Sequence, residues 1–396
     1  MKSALCPLGR KLPLDSQKRL FQSVYVAIFF AQGALIPYMT LYFSQTKFGL
    51  TPSQVGIVVA ILPILSIGVQ PLWGMLTDRT GRVRAWLILA MLSAALISFT
   101  FLVATAYVWI IVLMVIWSIF QCAHIPLVDM MTLDYTARSK VDYGAIRLYG
   151  SAGFAIAVFA MGRISDTTWG LASTFVLSAI LLILGSMLVR IIPEKSSIRD
   201  VTLAPISWTA VWNKTFIFFL LGGMLVFGPI YANNYYFGLY VTNSGGSTTL
   251  VGTLFLVAVL FEIPFMKVAS QLVERFGSVS VLVGAAAISA MRNGVLALEP
   301  PIWVVWLLAI VQGLVVGLLI PVALQFVRTL VDRQVSSTAI GVYMALTSGL
   351  ATAGFNMLSG KIIELDDILG VFWMYTIVTA LGALIWVGMS RRARKG

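Results

Sequence analysis

The chain has 396 residues, of which 59% are hydrophobic and only 11% charged. That composition excludes a soluble globular domain, whose surface would need far more polar groups. The formal net charge of +12 would suit a nucleic-acid partner, but the basic residues lie between apolar runs, so they read as membrane topology and no nucleic-acid contact is expected. Two cysteines, Cys6 in a basic tail and Cys122 in an apolar run, predict no disulfide.

A bilayer core of about 30 Å takes roughly 20 apolar residues per helix. In chain order such runs are predicted at 21–45, 52–76, 85–104, 107–133, 145–166, 168–191, 215–241, 249–273, 279–297, 302–326, 338–360 and 368–390. The expected fold class is all-α integral membrane with twelve transmembrane helices. The first run is too long for the apolar core of a cleaved leader and continues past Pro37. Lys and Arg gather in the N-terminal tail and in 77–84, 134–144, 190–214, 274–278, 327–337 and 391–396, whereas the other side holds Lys47, Arg163 and Lys361. This asymmetry predicts a multi-pass protein of the cytoplasmic membrane with both termini in the cytoplasm.

The chain also repeats itself. "DRTGRVRAWLILAMLSA" from Asp78 aligns with "ERFGSVSVLVGAAAISA" from Glu274. Nearly the same shift sets Gly56 against Gly252, Ile125-Pro126 against Ile320-Pro321, and 161–164 against 359–362. A repeat of six helices gives halves of equal orientation, related by a pseudo-two-fold axis along the membrane normal. The halves are expected at 1–191 and 215–396, joined by a polar cytoplasmic linker, 192–214.

"GMLTDRTGRVR", 74–84, resembles the loop motif of the major facilitator superfamily, and with twelve spans the resemblance covers nearly the whole chain. It implies that Gly74, Asp78, Arg79, Gly81, Arg82 and Arg84 form a conformational switch, a charge relay that latches neighbouring helices. The alternative is that the arginines only set topology. A monomer is also implied.

Ionisable residues inside spans point to function, because even the mildest scale sets about 3 kcal/mol against each at a helix centre. They are Asp129, Asp134, Arg147, Glu262, Lys267 and Arg292, with His124 the one histidine. Counted from the cytoplasmic ends of their runs, Glu262 lies about 16 Å deep and Arg292 about 20 Å at 1.5 Å per residue. Neighbouring helices thus place opposite charges at similar depth, which predicts a proton-coupling pair. A static ion pair is the other reading. Asp134 and Lys267 lie near the interface, and His124 reads as a packing residue.

"YGAIRLYGSAGF", 143–154, with Asp129 ahead of it, is similar to the lactose permease and phenylpropionate permease branch of the superfamily. The resemblance implies that Asp129 and Arg147 contact substrate and that Arg292 takes part in proton coupling. Snorkelling is the alternative for Arg147. The tenth span, "VQGLVVGLLIP", carries Gln312 where that branch has an acid and a histidine, so Glu262 is the substitute expected here. Gly33-Pro37 and Gly228-Pro229 are expected to interrupt the first and seventh spans, a pathway marker in repeat transporters. Tyr38, Tyr42, Tyr231, Tyr235 and Tyr236 would line an outer vestibule or an interfacial belt. The substrate contacts expected are Asp129, Arg147, Tyr38, Tyr235 and Gln312.

The function these features predict is proton-coupled symport, with uptake of a sugar, nucleoside or aromatic carboxylate by alternating access. A proton-driven exporter of the same fold is the alternative, although the export motifs of spans 4 and 5 are missing. A non-transporting membrane sensor is the alternative of another class. No nucleophile–base set, phosphate loop or metal-ligand cluster appears, so an enzyme, a cofactor and a metal are not expected.

Overall fold

In the computed structural model the described residues are 13–139, 141–193, 212–332 and 335–393. Among them, 12 helices are long and apolar enough to cross a membrane. They are α1 Leu14–Phe43, α2 Pro52–Thr80, α3 Val83–Thr100, α4 Tyr107–Ser139, α5 Tyr143–Ser165, α6 Ser173–Ile191, α7 Lys214–Asn243, α8 Thr248–Phe276, α9 Ser278–Ala297, α10 Ile302–Leu330, α11 Thr338–Leu365 and α12 Ile368–Ala393. The N-terminal tail to residue 12, and 194–211 of the expected linker, lie outside the described residues.

Local chemistry sets several boundaries. Thr51 closes a capping box with Gln54 ahead of Pro52, and Asp142, Asn213 and Ser247 each accept a backbone N–H at the start of α5, α7 and α8. These caps satisfy N–H groups that have no partner within the helix. At the other end of α2, Gly81 adopts φ +63° and its N–H donates to Thr77 O at 2.8 Å.

The expected breaks fall elsewhere. α1 and α7 run unbroken through Pro37 and Pro229, since neighbouring helices can absorb the one backbone bond a proline removes. The interruption is instead in α4, at Cys122–Ala123. There Pro126 has no N–H to offer the Cys122 carbonyl four residues back. A second irregularity is the π-helical stretch Ala345–Ala351 in α11, where the Thr352 hydroxyl donates to Thr347 O at 3.2 Å.

The helix pairings repeat. α1 packs on α5 and α6, α3 on α4 and α6, and α2 on α4; α7 packs on α11 and α12, α9 on α10 and α12, and α8 on α10. The second set is the first shifted by six helices, as two halves of equal orientation require. Outward-facing side chains are apolar, Leu96 at 70% exposed and Leu384 at 64%, so they face lipid. Association in lipid rests on close packing and interhelical hydrogen bonds. Trp386 Nε1 donating to Phe219 O at 3.1 Å and Ser359 with Tyr375 at 2.8 Å are examples.

The first six and last six helices meet along α2–α11, α5–α8 and α1–α7. The tightest meetings lie toward the far face, opposite the face from which α1 starts. A Cβ on Gly56 would stand 2.7 Å from Asn356 O, and one on Gly252 would stand 2.6 Å from Val158 O. Only glycine allows backbones this close. Above these crossings Asp166, just past α5, accepts from Thr248 N at 3.1 Å, Thr248 Oγ1 at 2.5 Å and Thr249 N at 2.8 Å. Near the end of α11, Glu364 accepts from Ser53 N at 3.3 Å. Desolvation pushes the Asp166 carboxyl up, but the bonds from Thr248 and Thr249 outweigh it and hold it below its usual value. The far face is closed.

Candidate functional site

On the starting-face side of the crossings, α1, α5, α7, α8 and α10 enclose a cavity of about 350 Å³. A second lobe of about 270 Å³ extends between α1, α2, α4, α7 and α11. Gln32, Ile36, Tyr231 and Asn234 line both, and so form the waist between them.

Arg147 enters the first lobe four residues into α5. Its Nε lies 4.0 Å from Asp129 Oδ1, with both side chains about three-tenths exposed. The Tyr25 hydroxyl donates to the same carboxylate oxygen. The guanidinium carbon lies 4.2 Å from the centre of the Phe29 ring and 5.6 Å from that of Tyr25, within cation–π range. Gly150 makes room for this: a Cβ there would sit 2.9 Å from Phe29 Cδ2 and 3.0 Å from Arg147 Nη1. The structure thus brings together the two charges that the sequence pairs, with Arg147 on the cavity wall and Asp129 behind it. Among the described residues no protein acceptor reaches the terminal nitrogens of Arg147, which leaves the stronger donor set to whatever enters.

Glu262 lines the same lobe from α8, near Tyr231, Gln312 and Gly313. No hydrogen-bond or ion-pair partner serves its carboxyl among the described residues. The pairing expected with Arg292 is not formed. Arg292 is 3% exposed, donates from Nε to Leu308 O at 3.1 Å and from Nη1 to Asn293 Oδ1 at 3.0 Å, and lies 5.5 Å from the Phe237 ring centre. The reason is azimuth and level. α8 packs on α5 and α10, not squarely on α9, and Glu262 meets α10 at Gly313 and Gly317 whereas Arg292 meets it at Leu308. Matching depths along two helices do not bring together side chains that face different neighbours.

The remaining expected contacts divide. Gln312 lines the first lobe and Tyr235 the second. Tyr38 does not reach the cavity: it is buried, and its hydroxyl donates to Val158 O at 2.6 Å. Tyr236 does the same to Asn356 O at 2.6 Å in the second half, and Tyr42 donates to Phe101 O at 3.1 Å. These three support the far face and line no vestibule. His124 is fully buried with neither ring nitrogen hydrogen-bonded. In the loop motif, Arg84 donates to Ile192 O at 2.9 Å, and Asp78 faces a small cavity with Gln17, Asp134 and Arg138. Arg79 and Arg82 are exposed, and open space lies where a Cβ on Gly74 would point. Sequence reasoning missed Tyr25, Gln70 and Gln121; an isolated polar residue in an apolar helix was the signal, without direction.

The cavity therefore joins a guanidinium with open terminal nitrogens, a carboxyl without a partner among the described residues, and several amides between aromatic rings. That set offers donors, acceptors and ring faces together to a small solute. Among the described residues no group of three or more His, Cys, Asp or Glu stands together to hold a metal.

Residues 19–376 match the MFS_1 like family. The chain is 36% identical over 385 residues to the maltose permease of Geobacillus stearothermophilus, covering 96% of each. It is 24% identical over 368 residues to a probable 3-phenylpropionic acid transporter of Escherichia coli strain K12, covering 89% of this chain and 93% of the other. Among solved structures, nucleoside transporter NupG superposes with a TM-score of 0.81 at 16% identity, covering 94% of this chain and 98% of that one. At that identity the likeness concerns the fold.

Proposed function

Since the chain belongs to the MFS_1 like family and is a transporter of the major facilitator type, we propose that it takes up a sugar-class solute by proton-coupled symport. The observation that carries this is the cavity itself, where Arg147, Gln312 and the waist amides face the unpartnered Glu262. Amides and a guanidinium suit vicinal hydroxyls, and Phe29 and Tyr231 offer faces to the carbon side of a ring. A permease 36% identical to this chain is named for maltose, which supports a sugar over a nucleoside.

In this reading the halves 1–191 and 215–396 rock about the cavity, with 192–214 as the connector. The far face, closed here by glycine crossings, opens when α2 parts from α11 and α5 from α8. The charged loop at 74–84 latches the opposite side. Glu262 carries the proton, because an ionisable group inside the membrane and on the solute path is the natural relay. Arg147 holds the solute with Asp129 behind it, and Arg292 is a fixed strut bonded to α10. The protein works as a monomer in the cytoplasmic membrane, with both termini in the cytoplasm, as its basic segments suggest.

Proteoliposomes test this. With Glu262→Gln, solute exchange persists and accumulation against a gradient is lost. Undiminished accumulation in that variant would exclude Glu262 as the coupling acid.

A further inference from the structure

The second lobe differs in kind from the first. Its wall carries no Asp, Glu, Lys, Arg or His, yet it is rich in hydrogen-bonding groups: the amides of Gln32, Gln70, Gln121 and Asn234, and the Tyr235 hydroxyl. None of these five makes a hydrogen bond within the protein among the described residues. Gln121 is 6% exposed and Tyr235 5%, and the Gln121 Oε1 is buried without a partner. Buried polar groups are normally satisfied, so Gln121 and Tyr235, with three further amides opening on the same space, offer a converging set to an external partner.

The space is bounded by both irregular points of the helix set. Gln121 and Cys122 stand at the break in α4, and Ser348 and Thr352 lie in and beside the π-helical stretch of α11. Such stretches occur often where a helix lines a functional site. The lobe's volume of about 270 Å³ leaves room for a single ring with its hydroxyls. A charged group has no counter-charge here, and an apolar ring would leave the five polar groups unmet.

We propose that this neutral lobe is a second solute subsite. It holds the uncharged, hydroxylated second ring of a two-ring glycoside, while the first ring lies against Arg147 and Glu262. Gln32, Tyr231 and Asn234 flank the linkage between the rings at the waist. This rests on the sugar reading given above. It adds that specificity for two rings over one resides in the polar side chains that α2, α4 and α11 turn to this lobe, whose wall holds no charged residue.

The test uses the full chain in proteoliposomes, with maltose as the two-ring probe and methyl α-glucoside as the one-ring probe. Gln70→Leu, at an exposed position on α2, removes an amide without disturbing packing, and Gln121→Leu removes the buried one. Each is expected to weaken maltose about tenfold, the size of one lost hydrogen bond to a buried partner, and to leave methyl α-glucoside unchanged. Arg147→Ala is expected to weaken both sugars. An equal loss for both sugars in Gln70→Leu, or a loss for neither, would overturn the subsite while leaving the sugar reading intact. Failure of the unmodified protein to bind either sugar would overturn the sugar reading and the subsite together.

Discussion

At the far face Asp166 accepts from Thr248 and Thr249 and Glu364 accepts from Ser53, whereas in the cavity Glu262 has no partner among the described residues. The contrast extends to the other polar groups. Toward the far face, Asn356 Nδ2 donates to Val59 O at 3.1 Å, and Tyr38 and Tyr236 each bond a backbone carbonyl. In the cavity the terminal nitrogens of Arg147, five side-chain amides and the Tyr235 hydroxyl have no partner among the described residues. The far face is bonded to itself, as a seal must be. The cavity keeps most of its side-chain amides and the terminal nitrogens of Arg147 without an internal partner among the described residues, as suits a site that loads and unloads, since such a partner would compete with the solute.

The far face also carries the repeat more clearly than the cavity does. Tyr38, Val158, Gly162 and Asp166 in the first half correspond to Tyr236, Asn356, Gly360 and Glu364 in the second. The cavity holds Arg147 on one side and Glu262 on the other, with no such correspondence. A rocking seal needs two like hinges, whereas an asymmetric solute needs two unlike walls.

This contrast can be broken from either side. The largest effect is expected at the crossings. Gly252→Leu places a side chain where a Cβ already meets Val158 O at 2.6 Å, so the seal cannot form. Uptake should fall by more than tenfold while a thiol reagent from the far side gains access to Cys122, which is otherwise buried on the neutral lobe. Next is Arg147→Ala, which removes charge-assisted bonds worth about 1.5–3 kcal/mol, or roughly ten- to a hundredfold in affinity. Tyr25→Phe is milder, with a loss of about three- to tenfold in binding assays, because it removes only the hydroxyl that orients Asp129.

The smallest effect concerns acid. The Asp166 carboxyl sits below its usual value in the closed state, so its bonds to Thr248 and Thr249 help closure at neutral pH. That help is complete above the value Asp166 has when the face is open, near 4 for a free aspartate, and is lost as pH falls through the lowered value. Far-side labelling of Cys122 in the unmodified protein, taken as a ratio to that in Asp166→Asn to cancel the fall in thiolate at low pH, should therefore rise modestly toward acid pH. Asp166 is exposed, so solvent screening keeps the change small.

The comparison also explains which parts were legible in the sequence. Apolar run length and basic spacing are local properties, so all twelve helices and the repeat could be read directly. Asp129 and Arg147 were legible because they flank one short loop between α4 and α5. Glu262 and Arg292 were misjudged as partners because depth can be counted along a chain but the direction a side chain faces cannot. Pro37 and Pro229 did not break their helices, whereas Pro126 coincides with a break, and residue type alone does not separate those cases. Gln70 and Gln121 come from α2 and α4, which are separated in the chain by α3, and nothing local shows that both amides turn to one space.

The central claim is that solute and proton move together through this cavity. The most direct measurement is a pH electrode in a weakly buffered suspension of de-energised proteoliposomes, to which maltose is added. The account predicts that the external medium turns alkaline as sugar enters, with no such change for Glu262→Gln. Sugar entry with no movement of protons would contradict it.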